Sequence, residues 1–396
     1  MKKFKKALSL MLAAAMVLSL AACGGSDKGG SKDEAKSSGE EVFKIGGIGP
    51  ITGANASYGL GVKNGAQIAV DEINAAGGIN GYKVEYKFED DVTDNEKSVH
   101  AYNTLKDWGM QLLMGSTTST CSITVSAKSS ADNMFQLTPS GSAVDCVATD
   151  NAFQVCFTDP NQGVRSAQYI AEHKMATKIA GIYDSSDTYS SGIWTSFKKE
   201  AANQGIEIVA EGAFTADNKT DFSVQLQQAK DAGAEMVFMP IYFTEAALIL
   251  AQADAMGFAP QFVGCDGMDG ILTVKNFDTS LAEGLVLLTP FAATAEDELT
   301  QKYVETYKKN YNEIPNQFSA DAYDAIYIMK AAIEKADLKP SDGVSAICDG
   351  MKAVMTEINV KGLTSDEEGM TWTEGGEVSK APKAAVIKNG EYVMAQ

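Results

Sequence analysis

Two stretches rich in hydroxyl side chains could bind an anion. The first runs from Ser116 to Thr120 and leads into a predicted helix at 119–130, and the second contains Ser140 and Ser142. Hydroxyls and the free backbone N–H groups at the start of a helix favour negative charge. Helix capping alone needs one such residue, whereas the first stretch has five in a row. Because neither stretch contains Lys or Arg, they suit a single carboxylate better than a polyphosphate.

The second half of the chain contains residues that could bind a positively charged group. Tyr189, Tyr242 and Asp266 each lie in a segment that follows a predicted strand. The Asp266 carboxylate could pair with an ammonium group, and a tyrosine presents a flat apolar face with one polar tip. Each residue taken alone could equally be an ordinary turn residue. Together with the hydroxyl-rich stretches, they predict a site for a zwitterion such as an amino acid.

Strands and helices alternate along the chain in a way that would bring these segments together. The predicted strands are 42–48, 83–88, 110–114 and 134–137, then 178–183, 206–210, 235–240 and 261–264. The predicted helices are 60–76, 95–108, 119–130, 162–174, 191–204, 220–232, 244–257, 296–310, 318–336 and 343–356. The βαβ pattern predicts parallel sheets, in which ligands bind outside the carboxyl ends of strands. We therefore predict an α/β protein of two doubly wound, Rossmann-like lobes with a ligand cleft between them.

The last part of the chain has a different pattern. Residues 370–394 read as short strands, with a hairpin turn at Lys388-Asn389-Gly390-Glu391. An Asn-Gly pair at the centre of such a turn tolerates the positive φ angles that tight hairpins require. This hairpin would end the second lobe.

Composition excludes several classes of function. The 396 residues contain 33 Lys and Arg against 52 Asp and Glu, a formal net charge of −19. Nucleic-acid binding through phosphates needs a basic face, so we expect no such partner. The chain has one arginine, Arg165, and two histidines, His100 and His173. A histidine-rich metal centre or a bidentate arginine clamp is therefore not expected.

Catalytic and cofactor motifs are also missing from the sequence. It contains no G-x-x-x-x-G-K-[ST], H-E-x-x-H or G-x-S-x-G pattern. Gly59, Gly61 and Gly65 resemble a loose dinucleotide fingerprint but lack the tight strand–turn–helix context, so we interpret them as helix-entry and packing residues. Asp90 and Asp91 could be imagined as an acid–base pair, but adjacent side chains at a strand end point in opposite directions. We predict a solvated loop there, and neither a cofactor nor catalysis.

The N-terminal residues have the pattern of an export signal. Four lysines within the first six residues precede an uncharged run at 7–22, which is short for a membrane span. Leu20-Ala21-Ala22-Cys23 matches a bacterial lipobox. We predict a signal peptide at 1–22, lipidation of Cys23 and a flexible tether at 23–41. The protein would then be extracytoplasmic and held at the membrane by its lipid. The alternative is a soluble secreted protein cut near the same place.

Five cysteines follow Cys23. They are Cys121, Cys146, Cys156, Cys265 and Cys348. Their scattered spacing predicts neither a zinc site nor a dense disulfide framework. One disulfide remains possible, joining Cys146 to Cys156 or to Cys121. The other interpretation is that most of them are small core residues.

Several segments resemble one known family. Residues 71–83 read DEINAAGGINGYK and are followed by Asp90-Asp91, while Ile51-Thr52-Gly53, Tyr58-Gly59 and Thr138-Pro139 look like further family marks. From Val42 to the C-terminus the chain resembles the leucine/isoleucine/valine-binding family, the type I periplasmic-type solute-binding proteins of ABC transporters. The resemblance implies two lobes joined by three crossings, which close on a ligand by hinge motion.

The same resemblance implies boundaries for the lobes. Lobe 1 would comprise 42–157 and 289–362, and lobe 2 would comprise 158–288 and 363–396. The crossings would lie near Phe157-Thr158, Leu288-Pro290 and Val360-Leu363.

Site residues can be carried over from the family by position. The resemblance implies that Ser119 and Ser142 donate to the ligand α-carboxylate, with Ser140 contributing its backbone. It also implies that Asp266 accepts from the ammonium group. The second-lobe contacts would be Tyr189 and Tyr242, and the walls of the side-chain pocket would be Tyr58 and Phe318.

The sequence departs from the family pattern at two places. Thr117 and Thr118 stand where relatives that bind aliphatic ligands have more apolar side chains, and Asp266 replaces a more usual Glu.

The expected function is capture of an amino acid, with Leu, Ile and Val favoured, and its delivery to the transmembrane subunits of an ABC permease. The alternative ligands are another small carboxylate or amide, such as a polar amino acid, an aromatic acid or a short-chain amide. Two further classes of function are a secreted α/β enzyme and a ligand-binding sensor module. The enzyme is disfavoured because the sequence contains no nucleophile motif. The sensor module is disfavoured because it would normally need a retained membrane span and a signalling partner. We expect a monomer.

Overall fold

Two sheets organise the chain, and their strand order sets where a ligand can bind. The computed structural model describes residues 41–395. One sheet has five strands in the order β2-β1-β3-β4-β5, and the other has seven in the order β12-β11-β10-β9-β8-β6-β7. The strands are β1 (Val42–Gly49), β2 (Lys83–Asp90), β3 (Leu112–Met114), β4 (Gln136–Thr138), β5 (Ala152–Gln154), β6 (Lys178–Asp184), β7 (Glu207–Phe214), β8 (Met236–Met239), β9 (Gln261–Gly264), β10 (Val286–Thr289), β11 (Lys383–Lys388) and β12 (Glu391–Met394).

The first sheet is entirely parallel, and in the second only β11 and β12 run antiparallel to their neighbours. In the first sheet the chain passes outward from β1 to β2 and then returns to β3 on the other side of β1. Ligands bind at such a reversal, outside the carboxyl ends of the strands. The loops after β1 and β3 therefore lie at a favourable position for a site.

Helices cover both faces of each sheet. They are α1 (Ala56–Ala75), α2 (Asn95–Trp108), α3 (Ser119–Ala131), α4 (Asp159–Glu172), α5 (Thr188–Asn203), α6 (Ser223–Asp231), α7 (Phe243–Ala255), α8 (Glu298–Tyr311), α9 (Gln317–Lys335) and α10 (Val344–Val354). The long helices α1 and α9 pack together beside the first sheet, and α4 and α5 pack together beside the second. Central strands such as β3, β4 and β8 thus bury both of their faces, as parallel sheets require, whereas the edge strands β2, β7 and β12 are partly exposed. Among the described residues no helix is long and apolar enough to span a membrane.

The predicted alternation of strands and helices is confirmed, and so is the C-terminal hairpin. Lys388 pairs with Glu391 across the turn, and Asn389 and Gly390 adopt positive φ angles of 54° and 75°. Two strands were not predicted, β5 and β10. They have only 3 and 4 residues, and only 3₁₀ turns precede them where an α-helix precedes β3, β4, β8 and β9, so the alternation of strands and helices does not predict them.

The crossings predicted near 157–158 and 288–290 stay predictions. The chain leaves the first sheet after β5, and after β10 it continues into α8 and α9, which pack against α1 beside that sheet. Before joining the second sheet again it stays beside β5, where the Trp372 indole N–H donates to the carbonyl of Gln154 (2.9 Å). Lys380 is likewise bound to Asp321 of α9. We therefore propose a third connection at 381–382, later than the 360–363 expected from the sequence, with 363–380 assigned to lobe 1.

The Asp90–Asp91 pair differs from the sequence prediction of a solvated loop. Asp91 is fully buried, and its carboxylate accepts hydrogen bonds from the Ser116 hydroxyl and from the backbone N–H of Thr93. Burial raises the pKa of Asp91. The prediction was wrong because alternation along a strand predicts the direction of the Asp91 side chain but not its neighbours. Its neighbour is the loop after β3, and the hydrogen bond from Ser116 to Asp91 holds that loop in place.

The five cysteines that follow Cys23 are all buried free thiols. Their predicted role as small core residues is confirmed, and the structure contains no disulfide within 41–395. Cys23 itself, the signal peptide at 1–22 and nearly all of the predicted tether lie outside the described residues.

The glycines of α1 are packing residues, as predicted. A Cβ on Gly65 would lie 1.9 Å from the carbonyl oxygen of Ser319 on α9, and one on Gly59 would lie 2.0 Å from the carbonyl oxygen of Pro50. Both neighbours are backbone atoms, which cannot rotate away. The close contact between α1 and α9 therefore depends on the absence of a side chain at 65.

We expect Gly65→Ala to destabilise the protein by about 1–3 kcal/mol, because the added methyl group forces α1 and α9 apart. Urea unfolding of the purified protein would measure the change. Gly375→Ala is the matched control, since its Cβ would meet only the Thr373 hydroxyl at 3.6 Å. Equal stabilities for the two variants would contradict the proposed packing role.

Candidate functional site

The two hydroxyl-rich loops meet at the start of α3. Ser119 is the first residue of α3 and is buried. Its hydroxyl oxygen accepts from the backbone N–H groups of Ser142 (3.1 Å) and Ala143 (3.2 Å). Because those two bonds occupy the lone pairs of Ser119 Oγ, its hydroxyl proton remains available to donate. The structure thus brings together Ser119 and Ser142, the two predicted carboxylate donors.

Ser140 has a different task in this cluster. Its hydroxyl donates to the carbonyl of Thr117 (2.7 Å), which ties the loop after β4 to the loop after β3. The side chain is therefore occupied within the protein. A contribution of the Ser140 backbone to a ligand stays a prediction.

On the other lobe, Asp266 begins a short 3₁₀ turn after β9. Its carboxylate accepts from the Tyr189 hydroxyl (2.7 Å), and its backbone N–H donates to the Gln162 side chain (3.2 Å). Burial raises the pKa of Asp266 to about 6, against the opposing effect of the Tyr189 hydrogen bond. Two of the predicted second-lobe residues, Asp266 and Tyr189, are therefore in direct contact.

Four predicted aromatic residues form one cluster between the lobes. The Tyr58 ring lies 4.2 Å from that of Phe318 and 5.7 Å from that of Tyr242, measured between centroids. Tyr242 in turn stacks on Tyr189 at 5.2 Å. The Tyr58 hydroxyl donates to the backbone carbonyl of Gly267. Tyr58 therefore spans the cleft, because it belongs to lobe 1 and Gly267 to lobe 2.

Other contacts also join the two lobes. The Thr120 hydroxyl donates to Asp187 (3.2 Å), and the Thr244 hydroxyl donates to the carbonyl of Ala54 (3.1 Å). Together with the Tyr58 bond they hold the cleft closed. The structure therefore has the closed conformation of a two-lobed protein.

Asp159 is a residue that the sequence reasoning missed. It is the first residue of α4, directly after the first crossing, and it is buried. Within the described chain neither carboxylate oxygen has a hydrogen-bond partner. Desolvation, together with the nearby charges of Asp266 and Asp187, raises its pKa. An unpaired buried carboxylate next to a second one favours a cation.

Asp159 left only a weak signal in the sequence. Thr158-Asp159-Pro160 reads as an ordinary helix start, with a capping threonine and a proline in the first turn. The structure shows that Thr158 alone caps α4, by accepting from the backbone N–H of Asn161 (3.4 Å). Asp159 was therefore not needed for capping, but this is visible only in three dimensions.

More polar atoms without partners surround this position. Ser142 Oγ, Gln162 Nε2 and Gln317 Oε1 are buried and make no hydrogen bond within residues 41–395. The buried Lys380 does not serve them, since its ammonium group pairs with Asp321 (2.7 Å) and Thr364 (2.8 Å). A donor and acceptor set of this kind can bind a small molecule that carries both charges. The described residues contain no group of side chains suited to a metal ion.

A cleft of about 420 Å³ is lined by both lobes, and of the eight predicted site residues only Tyr242 lines it. Its lining includes Thr118 and Thr120 from lobe 1 and Asp187 and Tyr242 from lobe 2. A volume of this size is typical of sites for small ligands. A second cavity, of about 580 Å³, lies beside α8 and β10 and contains none of the predicted site residues.

Comparison with known proteins identifies the family. The model of the family described as "Periplasmic binding protein" matches residues 42–380. A Leu/Ile/Val-binding protein homolog from Brucella melitensis is 31% identical over 349 residues, which cover 87% of this chain and 90% of the relative.

Solved structures agree on the fold. The isoleucine complex of a branched-chain amino-acid transporter substrate-binding protein from Streptococcus pneumoniae has a TM-score of 0.79 and 27% identity, covering 90% of this chain and 100% of that one. A leucine-binding protein from Thermotoga maritima has a TM-score of 0.80 and 24% identity, covering 90% and 98%. The two-lobed α/β fold and the resemblance stated from the sequence are confirmed. The chain belongs to the periplasmic binding protein family.

Proposed function

We propose that this protein is an extracytoplasmic receptor that captures an amino acid and delivers it to an ABC permease, with Leu, Ile and Val as the first candidate ligands. The observation that carries the proposal is the opposition of two sets of groups across a closed cleft. Lobe 1 presents hydroxyl donors at a helix start, and lobe 2 presents two buried carboxylates. The relatives named above support the branched-chain candidates.

The lobe 1 groups suit the ligand carboxylate. The Ser119 hydroxyl has a free proton, and the first N–H groups of α3 have no acceptor within the helix. Ser142 Oγ is buried beside them without a partner. Hydroxyls and a helix N-terminus stabilise a carboxylate without needing a lysine or arginine. Ser119 and Ser142 are thus proposed as the carboxylate donors.

The lobe 2 groups suit the ligand ammonium. Asp266 is already bound by Tyr189, whereas both oxygens of Asp159 lack a partner. We infer that an ammonium group binds between the two, with Asp159 providing the free acceptors. Its positive charge would offset the repulsion between these carboxylates. A ligand without an ammonium, such as an aromatic acid, would leave Asp159 unpaired at a considerable cost.

The aromatic cluster suits the ligand side chain. Tyr58 and Phe318 pack against each other and form an apolar surface between the lobes. We propose that this surface covers part of the side chain, with Tyr242 on the opposite side. Closure would bring Tyr58 to Gly267 and bury the ligand, and the permease would bind the closed form.

Attachment to the membrane belongs to the same proposal. Lipidation at Cys23 would hold the protein near its permease. A tether of about 18 residues gives a root-mean-square reach of about 25 Å. The folded body would work as a monomer and would not be an enzyme.

A thermal-shift screen tests the proposed function. At a concentration 100 times Kd, a ligand that binds only the folded state adds about 2.7 kcal/mol, so we expect the melting temperature to rise by a few degrees with Leu, Ile or Val. The screen would cover all amino acids, together with benzoate and acetamide as ligands without an ammonium. If no amino acid shifts the melting temperature, the proposal is wrong.

Charge-neutralising variants test the ammonium site. We expect Asp159→Asn and Asp266→Asn each to weaken amino-acid binding about 10- to 150-fold, since hydrogen bonds to charged groups contribute about 1.5–3 kcal/mol. Without ligand, Asp159→Asn should stabilise the protein, because it removes an unpaired buried charge. Calorimetric titration and urea unfolding would measure the two effects. Asp254→Asn, an exposed change on α7, is the control and should alter neither.

The pKa of Asp266 predicts how stability depends on pH. Its folded-state pKa of about 6 lies above the ordinary value of 3.8, so the folded protein holds this proton more tightly than the unfolded chain. The resulting stabilisation is present below pH 4 and is lost as pH rises through 6. Relative to Asp266→Asn, ligand-free wild type should lose up to about 3 kcal/mol between pH 4 and pH 7. A difference that stays constant with pH would contradict the burial of this charge.

A further inference from the structure

The cleft contains polar atoms that the amino-acid backbone would not use. Three residues with at most 6% exposure line it, Asn55 and Thr118 from lobe 1 and Glu245 from lobe 2. Within the described residues each has one side-chain oxygen without a hydrogen-bond partner, namely Asn55 Oδ1, Thr118 Oγ1 and Glu245 Oε2. We call the part of the cleft lined by these three residues the outer subsite.

Other contacts fix the orientation of two of these oxygens. The Asn55 amide nitrogen donates to the Thr93 hydroxyl (3.2 Å), which leaves its oxygen as the free atom. Glu245 Oε1 pairs with the ammonium group of Lys219 (2.8 Å), which leaves Oε2 free. The outer subsite therefore presents acceptors whose own protein contacts are already made.

The third oxygen, Thr118 Oγ1, would be expected to cap a helix. Thr118 is the N-cap residue of α3, but its side chain accepts no capping hydrogen bond. Its hydroxyl therefore remains available to a ligand as donor or acceptor.

The charge around the outer subsite is negative. Asp184, Asp187 and Glu245 line the same cleft, and Lys219 is its only lysine. Desolvation and the neighbouring charge of Asp184 raise the pKa of Asp187 to about 6, whereas Glu245 is paired with Lys219 through one of its two oxygens. A positively charged or N–H-bearing group would be stabilised here, whereas a methyl group would leave the acceptors unpaired.

The outer subsite adjoins the proposed amino-acid site. Tyr242 lines the cleft, and the same ring contacts Tyr58 and Tyr189 of the aromatic cluster. A longer side chain could therefore pass Tyr242 and reach the three acceptors. The aromatic face would also attract an ammonium group as it passes.

We propose that the outer subsite binds the terminal N–H donors of a longer amino-acid side chain, so that the protein takes glutamine or lysine in addition to branched-chain amino acids. This inference rests on the proposed function, since it places the ligand backbone between Ser119 and Asp159. Asn55 and Thr118 accept from the side-chain nitrogen, and Glu245 provides the charge.

Calorimetric titration of the purified protein with leucine, glutamine and lysine tests the proposal. We expect glutamine or lysine to bind within about tenfold of leucine. Thr118→Val keeps the β-branched shape and removes only the hydroxyl. It should therefore lower the affinity for glutamine or lysine about 3- to 10-fold and change the affinity for leucine less than twofold. Glu245→Gln removes the charge and should weaken lysine more than glutamine. Thr124→Val, on α3 but outside the cleft lining, is the control and should change none of the affinities.

The outcomes are separable. If leucine binds while glutamine and lysine do not saturate the protein, the outer subsite is wrong and the proposed function stands. If Thr118→Val weakens leucine and glutamine equally, Thr118 binds the shared backbone and the outer subsite is again wrong. If no amino acid binds at all, the proposed function itself fails.

Discussion

Two carboxylates buried where the lobes meet are the constraint on which the rest of this structure depends. Burial raises the pKa of both Asp159 and Asp266, and the nearby charge of Asp266 raises the pKa of Asp159 further. A domain interior would ordinarily exclude such a pair. A cation bound between the two carboxylates would replace their mutual repulsion by attraction when the lobes close. The protein thus has a physical reason to close more readily with its ligand than without it.

The opposite half of the site depends on a buried support. Asp91 accepts from the Ser116 hydroxyl, and the Ser140 hydroxyl donates to the carbonyl of Thr117. These bonds fix the two loops that carry Ser119 and Ser142. Since hydroxyls are weaker anion ligands than lysine or arginine, their effect depends on being held in place before the ligand arrives. The positioning comes from residues that do not themselves face the ligand.

Most of the fold could be predicted from the sequence, because strand and helix periodicities are repeated through long elements such as α1 and α9. The eight residues predicted for the site group into two clusters, the serines and the residues around Tyr58, since strand ends converge at one edge of a sheet. What could not be predicted depends on tertiary contacts. Asp91 was expected to be solvated, and Asp159 had the appearance of a helix start. The strands β5 and β10 follow 3₁₀ turns, so they fall outside the alternation of strands and helices. The later third connection that we propose rests likewise on tertiary contacts, those of Trp372 with β5 and of Lys380 with α9.

The Tyr58 contact with Gly267 has a kinetic consequence. It joins the lobes beside the aromatic cluster, so a molecule bound at the proposed site would leave only after this bond and the bonds of Thr120 and Thr244 had broken. Dissociation is then limited by the opening rate of the protein rather than by the size of the molecule inside. Ligands of different affinity would differ in how far they shift the equilibrium toward the closed form. The free-energy barrier to dissociation would nevertheless include, for every ligand, the same barrier to opening. The residence time of a bound ligand would then depend mainly on how fast the hinge between the lobes opens.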